Sequence, residues 1–294
     1  MNETITYIQK SLEPLYLPEE IRSLTGWILE KTCNLSRHQQ ILHKDKQLSN
    51  MEKQFVQTIV ERLRNSEPIQ YIFGETEFYG LPFAVNPAVL IPRSETEELV
   101  HLIIKDMNVF SNQTYPVILD IGAGSGCIAV TLAKNLPEAK VYALDISDDA
   151  LQLAKRNAQR NGVIIHFFQA DILSYPPIEG VGGGHCPPHS LPQFDLIVSN
   201  PPYVKESEKT VMKSNVLEYE PYEALFVPDE DPVLFYRRIA EFGLEKLIVN
   251  GLLYFEINAS HREMICLMLS QKGFHDIEYY HDLSGRERFI KARR

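Results

Sequence analysis

The sequence predicts an α/β fold in which a small helical domain precedes a parallel sheet with helices on both faces. Three observations support it. Residues 1–75 show helical periodicity, strand-length apolar runs alternate with helical segments after Pro116, and a glycine-rich loop follows the first of those runs. Continuous apolar strands that alternate with helices are typical of parallel sheets buried on both sides.

The first domain is predicted to span residues 1–75. Apolar residues recur there at three- and four-residue steps, as in Ile21, Leu24 and Ile28, and this spacing indicates amphipathic helices. The segment contains no cluster of metal ligands or nucleophiles. We therefore expect it to dock a partner rather than to carry out chemistry.

A β-hairpin linker is predicted over residues 76–92, followed by the main domain over residues 93–294. From Gln70 to Leu90 most residues are β-branched or aromatic, and Gly74, Gly80 and the pair Asn86-Pro87 interrupt them. This pattern is a hairpin signature.

The main domain is predicted to alternate strands with helices. The predicted strands are 116–120, 141–145, 164–168, 194–198 and 247–258, the helices are 127–135 and 149–161, and the tail through Phe274 and Phe289 forms an antiparallel pair. Residues Gly180–Ser190 are rich in glycine and proline, which predicts a flexible surface loop. Three potential ligands in that loop, His185, Cys186 and His189, are weak evidence for a metal, so no metal site is expected.

The charge balance and the cysteine content narrow the classes of substrate and cellular compartment. The formal net charge is −10, from 39 acidic and 29 basic residues, whereas strong nucleic-acid binding usually requires a basic face. A protein or small-molecule substrate is therefore favoured. The four cysteines form no CxxC pair, and the chain shows neither a signal peptide nor a membrane-spanning run. These features predict reduced thiols and a cytoplasmic location.

The glycine-rich loop lies between a predicted strand and a predicted helix. Glycines there let the backbone approach a ligand closely, and the start of the next helix is electropositive. A tight turn without a ligand has the same signature, and NAD sites share it. The residues assigned to a cofactor are Gly122, Ala123, Gly124, Ser125 and Gly126.

Carboxylates near the loop narrow the choice of cofactor. Asp145 ends the next strand, where a carboxylate can bind both ribose hydroxyls of a nucleoside. Asp120 precedes the loop, and its negative charge there favours the cationic S-adenosyl-L-methionine over the pyrophosphate of NAD. Asp171 follows the third strand and can accept a hydrogen bond from the adenine amino group, and Ile172 beside it is also assigned to this site.

An Asn-Pro-Pro-Tyr tetrad follows the strand that ends at Val198. Two prolines stiffen the turn and remove two backbone donors, so the side-chain oxygen of Asn200 and the carbonyl of Pro201 remain as acceptors. These suit a planar NH2 group, and the ring of Tyr203 can cover its flat face. The tetrad Asn200, Pro201, Pro202, Tyr203 thus predicts methyl transfer to an amide or amino nitrogen by positioning, with Asn200 also near the cofactor. Alone, a rigid proline turn with a buried tyrosine explains the same residues.

The chain resembles the release-factor glutamine methyltransferases, the PrmC/HemK family of protein-(glutamine-N5) methyltransferases. The matching segments are Glu67–Gly74, Phe83–Val85, Leu90–Arg93, Glu95–Glu97, the glycine loop, Asp145, Asn200–Tyr203, Glu220-Pro221 with Ala224-Leu225, Phe235–Arg237 and Gly285–Arg288. The resemblance implies a Rossmann-like class I methyltransferase sheet with an N-terminal helical domain and a hairpin linker. It also implies the substrate, the glutamine of the Gly-Gly-Gln motif in class I peptide chain release factors, with S-adenosyl-L-homocysteine as the product and a role in translation termination.

The sequence departs from this family's pattern in three places. Ser94 stands where proline is usual, Val227–Pro232 replaces a glycine-rich turn, and Gly180–Ser190 is an insertion.

Two other functions share some of these features. A DNA or RNA adenine or cytosine amino-methyltransferase uses the same tetrad on a flipped base, but residues 1–75 contain nine Lys/Arg against ten Asp/Glu and no basic run. A non-catalytic protein that binds ribosomes or release factors has no need for Asp145, Asn200 and Tyr203. Neither a membrane nor a nucleic-acid partner is expected.

Overall fold

The computed structural model describes residues 1–110, 115–174 and 191–294. The predicted loop Gly180–Ser190, with His185, Cys186 and His189, lies outside the described residues. The chain divides into two units: Met1–Gly74 with Lys213–Tyr219, and Glu75–Met212 with Glu220–Arg294.

The helices and strands of the described residues are numbered in chain order. The α-helices are α1 (Asn2–Leu12), α2 (Pro18–Cys33), α3 (Arg37–Leu42), α4 (Asn50–Arg64), α5 (Ile69–Phe73), α6 (Ser94–Phe110), α7 (Cys127–Asn135), α8 (Asp148–Asn161), α9 (Ser214–Leu217), α10 (Leu234–Lys246) and α11 (Arg262–Gln271). The strands are β1 (Glu75–Phe78), β2 (Leu81–Ala84), β3 (Val117–Ile121), β4 (Lys140–Asp145), β5 (His166–Gln169), β6 (Phe194–Ser199), β7 (Val204–Lys205), β8 (Phe226–Val227), β9 (Leu247–Glu256), β10 (His275–His281) and β11 (Glu287–Arg293).

The first unit is helical, as the sequence predicts. Its core consists of the apolar stripes of α1, α2 and α4, and Ile8, Ile28 and Ile59 are buried there. Helix α9 lies in the same unit: the hydroxyl of Tyr219, just after it, donates to the carbonyl of Asn65 at 2.7 Å. A segment from the middle of the chain therefore completes the N-terminal unit.

The second unit is built on a seven-stranded sheet in the order β10-β11-β9-β6-β3-β4-β5. Strands β5, β4, β3, β6 and β9 run parallel, and β11 pairs antiparallel with both β9 and β10. The predicted strands and the antiparallel tail are confirmed. Since the chain leaves β3 toward β4 and later returns to β6 on the other side of β3, ligands are expected at the carboxyl ends of these strands.

Side chains of the parallel strands are buried on both faces of the sheet. Leu119 and Ile197 belong to one apolar cluster, while their neighbours Ile118 and Val198 belong to another. Because successive residues of a strand point to opposite faces, the near-continuous apolar runs of β3 and β6 follow from this double burial.

The hairpin starts later than the β-rich composition of Gln70–Leu90 suggests. The prediction of extended structure through Tyr71–Phe73 is wrong: these residues form α5, which begins after Pro68 and ends at Gly74 in the left-handed conformation. The hairpin itself, β1 and β2, turns at Tyr79 and Gly80, both with positive φ. Strong β-propensity was overridden at α5 because a proline start and a glycine stop favour one helical turn.

The hairpin contacts helix α8 through the side chain of Asn157. The amide of this fully buried residue accepts from the N–H of Ala84 at 2.7 Å and donates to the carbonyls of Ala84 and Ser125 at 3.0 and 2.9 Å. One side chain thereby ties the end of β2 to the glycine-rich loop.

Candidate active site

A cavity of about 790 Å³ lies at the carboxyl ends of β3, β4 and β6. Most of the residues predicted from the sequence line it. They are Gly122, Ala123, Gly124, Ser125, Asp145, Asp171, Ile172, Asn200, Pro201 and Pro202. The structure therefore gathers the glycine-rich loop and the start of the tetrad around one space.

The glycine-rich loop takes its shape from left-handed backbone. Gly122 and Gly124 have φ of 77° and 54°, and a Cβ on either would meet no atom within 4 Å. The N–H groups of Gly122 and Ala123 both donate to the carbonyl of Leu144 at 2.9 Å. Glycine is needed at these two positions because of the backbone conformation, and the open space beside them leaves room for a ligand.

Gly126 differs from the other two glycines of the loop, and its predicted contact with a cofactor remains a prediction. It is not among the described residues that line the cavity. A Cβ on it would lie 3.0 Å from the Cβ of Ala154, so glycine here permits close packing of α7 against α8.

Asp145 is held by the backbone around it. Its two carboxylate oxygens accept from the N–H groups of Gly124 at 2.8 Å and Ser147 at 2.9 Å. Only 9% of the residue is exposed, and burial raises the pKa of its carboxyl. Each oxygen keeps a further lone pair, so this carboxylate at the cavity wall can still accept from a vicinal diol.

Asp120 does not act as the sequence analysis assumed. Its carboxylate is fully buried, is not among the described lining residues, and accepts from the N–H of Ala129 at 3.1 Å. Burial raises the pKa of this carboxyl to about 7. Asp120 thus caps the start of α7, and its carboxyl does not line the cavity where a ligand would lie. The preference for a cationic cofactor loses that support.

Asp171 and Ile172 line the cavity, and the carboxylate of Asp171 is hydrogen-bonded by residues next to it in sequence. Their contact with a cofactor remains a prediction. One carboxylate oxygen of Asp171 accepts from the N–H of Leu173 at 2.9 Å, and the other accepts from the hydroxyl of Ser174 at 3.0 Å. These contacts fix the carboxylate at the end of β5.

The tetrad divides between the cavity and the core. Asn200, Pro201 and Pro202 line the cavity, but Tyr203 is not among the described lining residues and packs against the apolar cluster of the sheet. Its hydroxyl lies 3.5 Å from Oε1 of Glu256, and burial raises the pKa of that hydroxyl. The predicted role of the Tyr203 ring as a cover for the acceptor group remains a prediction.

Two residues hold Asn200: Thr96, which lies in the Glu95–Glu97 segment of the resemblance, and Glu256, which no motif in the sequence marked. The side-chain Nδ2 of Asn200 donates to Oγ1 of Thr96 at 3.3 Å, and that hydroxyl donates to Oε2 of Glu256 at 2.7 Å. Glu256 is 1% exposed, and burial raises the pKa of its carboxyl to about 7 against the attraction of Arg288. The sequence feature that could have revealed Glu256 is its position as the lone charged residue at the end of a strand segment, Leu252–Glu256.

Arg93 and Glu220 join two loops at the cavity. Nη2 of Arg93 lies 2.6 Å from Oε1 of Glu220, and the other carboxylate oxygen accepts from the N–H of Ile91 at 3.3 Å. The side chain of Glu220 is 1% exposed. Since residues 87–90 and 221–224 both line the cavity, this ion pair fixes two of its walls together.

Apolar side chains complete the cavity wall. Ile146, Phe235 and Ile239 line it, and Ile146 is 50% exposed although it is a large aliphatic residue. An exposed isoleucine directly after Asp145 offers a flat apolar contact for a base. The signal in the sequence was its position next to the strand-terminal carboxylate.

Cys127 also contacts the cavity at the start of α7. Burial raises the pKa of its thiol to about 12, so the group stays protonated at neutral pH and is a poor nucleophile.

Within the described parts of the chain, no group of three or more His, Cys, Asp or Glu is placed to hold a metal. No helix in those parts is long and apolar enough to cross a membrane.

Comparison with known proteins identifies the family. Residues 3–74 match the family model described as the PrmC N-terminal domain, and residues 101–219 match the Methyltransferase small domain. A release factor glutamine methyltransferase from Bacteroides thetaiotaomicron is 44% identical and covers 100% of both chains. One from Flavobacterium psychrophilum is also 44% identical, over 98% of this chain and 96% of the relative.

The chain belongs to the release factor glutamine methyltransferase family. A crystal structure of a methyltransferase from Pyrococcus furiosus resembles it with a TM-score of 0.51 and 17% identity, covering 79% of this chain and 98% of that one. That likeness supports the fold, which is the class I methyltransferase fold predicted from the sequence. The resemblance proposed from the motifs is confirmed.

Proposed function

We propose that the protein transfers a methyl group from S-adenosyl-L-methionine to the side-chain amide N5 of the glutamine in the Gly-Gly-Gln motif of class I peptide chain release factors. Two relatives named release factor glutamine methyltransferase match 98% or more of the chain. The observation that carries the proposal is the fixed amide of Asn200 at the cavity wall. It presents an acceptor for a planar NH2 group.

The residues around the cavity suit S-adenosyl-L-methionine. The open backbone at Gly122 and Gly124, the carboxylate of Asp145 and the exposed side chain of Ile146 offer contacts to a nucleoside that carries an amino acid. Asp171 and Ile172 lie beside them as candidate adenine contacts. When bound, the cofactor supplies an electrophilic methyl group on a sulfonium.

The substrate side of the cavity would orient a nitrogen that is a poor nucleophile. An amide nitrogen delocalises its lone pair, so both N–H groups must be held for that lone pair to point at the methyl carbon. Oδ1 of Asn200 and the carbonyl of Pro201 are the acceptors for those two protons. With the cofactor bound, its methyl group would pass to this nitrogen as the bond from carbon to sulfur breaks, and the nitrogen would release one proton to the solvent outside the cavity. Positioning in a dry cavity supplies most of the catalysis.

The partner would be a class I release factor in the cytoplasm, and the helical unit is our proposed docking domain. The experiment uses labelled S-adenosyl-L-methionine with purified release factor, followed by mass spectrometry of its Gly-Gly-Gln loop. We expect one methylated glutamine, and no label when that glutamine is replaced by alanine. Transfer of label to DNA or RNA, with none to the release factor, would contradict the proposal in favour of a nucleic-acid amino-methyltransferase.

A further inference from the structure

We propose that Thr96 and Glu256 are positioning residues that decide which atom of Asn200 faces the substrate. This inference rests on the proposed function and deepens it. Neither residue has to touch the reacting atoms. Their effect is to hold the amide of Asn200 with its oxygen available as an acceptor and its NH2 group turned away.

The carboxylate of Glu256 sets the direction of the hydrogen bonds. The hydroxyl of Thr96 donates its single proton to Oε2 of Glu256 at 2.7 Å. This direction is the only one possible when the carboxyl is ionised, above its pKa of about 7, because a carboxylate can only accept. The hydroxyl then has only lone pairs for Asn200, which must present Nδ2 to it at 3.3 Å. Oδ1 of Asn200 is left for a ligand.

The alternative orientation is chemically unproductive. An asparagine amide has nearly the same shape when O and N exchange places. Without the hydroxyl of Thr96, Asn200 would gain freedom to turn its NH2 group into the cavity. Two NH2 groups would then face each other with no acceptor between them, and the substrate nitrogen would lose one of the two contacts that orient it.

Burial makes this arrangement durable. Thr96 is 2% exposed and Glu256 is 1% exposed, so water does not compete for their hydrogen bonds. The same glutamate is anchored at its backbone, where its carbonyl accepts from the hydroxyl of Tyr236 at 3.2 Å. Its second carboxylate oxygen lies 3.5 Å from the hydroxyl of Tyr203. Glu256 thus contacts Tyr203 directly and Asn200 through Thr96, the two ends of the tetrad.

The matched pair Thr96→Val and Thr96→Ser tests the proposal. Valine has the shape of threonine without the hydroxyl, whereas serine keeps the hydroxyl and loses the methyl group. We expect Thr96→Val to lower kcat for release-factor methylation about tenfold or more, the effect of one lost buried hydrogen bond. The Kd for S-adenosyl-L-methionine, measured by calorimetry, should stay within about twofold, and Thr96→Ser should restore most of kcat.

Two results would overturn the proposal. One is a Thr96→Val enzyme as fast as the wild type, and the other is a Thr96→Ser enzyme as slow as Thr96→Val, which would assign the effect to packing. If Thr96→Val fails to fold, Thr96→Ala takes its place, because it also lacks the hydroxyl. The wild-type enzyme, assayed on the same release factor, separates a failure of this proposal from a failure of the proposed function. If the wild type leaves the release factor unmethylated, the proposed function itself is contradicted.

Discussion

The half of the cavity proposed to bind the cofactor and the half proposed to bind the substrate, here the cofactor half and the substrate half, are built in different ways. In the cofactor half, the backbone forms most of the site: left-handed glycines shape the loop, and main-chain N–H groups hold Asp145. In the substrate half, a chain of side chains holds Asn200 through Thr96 and Glu256. The first half follows from local sequence, whereas the second requires three distant segments to meet.

The separations along the chain show the contrast. Gly124 and Asp145 are 21 residues apart and lie on adjacent elements of one strand-helix-strand unit. Thr96 is 104 residues from Asn200 and 160 from Glu256. Changes in the substrate half should therefore affect turnover, and changes in the cofactor half should affect cofactor affinity.

The largest effect is expected at Asn200. Asn200→Ala removes the acceptor for the substrate amide, and loss of one preorganised polar contact typically costs about 100- to 1000-fold in kcat. Cofactor affinity, measured by calorimetry, should change little. A variant that keeps wild-type turnover would show that the tetrad does not orient the nucleophile.

A smaller effect of the opposite kind is expected at Asp145. Asp145→Ala removes a buried carboxylate that also fixes the N–H of Gly124, so we expect the Kd for S-adenosyl-L-methionine to rise about 10- to 100-fold. At saturating cofactor, kcat should recover most of its value. Unchanged affinity would reject the ribose-binding role. A loss of kcat that persists at saturating cofactor would show that Asp145 affects turnover as well as cofactor affinity.

The smallest effect concerns stability at Glu256. Burial raises the pKa of this carboxyl from 4.5 to about 7, so its protonated form stabilises the fold at low pH. That contribution is lost as pH rises through about 7. Glu256→Gln does not titrate, and we expect it to raise the free energy of unfolding by about 1–3 kcal/mol at pH 8.

The comparison at low pH provides the control for this variant. Near pH 4 the wild-type carboxyl is protonated in both the folded and the unfolded chain, so denaturant unfolding should show little gain from Glu256→Gln. Asp120, whose buried carboxyl has a pKa of about 7 as well, is present in both proteins and cancels in the difference. An equal gain at both pH values would contradict the role of ionisation.

Most of the fold was predictable because its signals are local. The helix Cys127–Asn135 matched its predicted bounds, and the parallel strands lay within a few residues of theirs. The segment Ile69–Phe73 was misread because aromatic and β-branched residues also fit a short helical turn between proline and glycine. The segment Lys213–Tyr219 joins the helical unit through contacts with residues far away in sequence, which no periodicity reveals.

The sequence by itself determined the alternation of strands and helices, the left-handed glycines and the rigid Asn-Pro-Pro turn, because each depends on neighbouring residues. Only the tertiary structure decided that Asp120 caps a helix, that Gly126 serves helix packing, and that Thr96 and Glu256 form a hydrogen-bonded chain to Asn200. The reason is that hydrogen-bond direction and burial depend on which distant side chains meet. A linear pattern specifies the residue types and leaves their partners open.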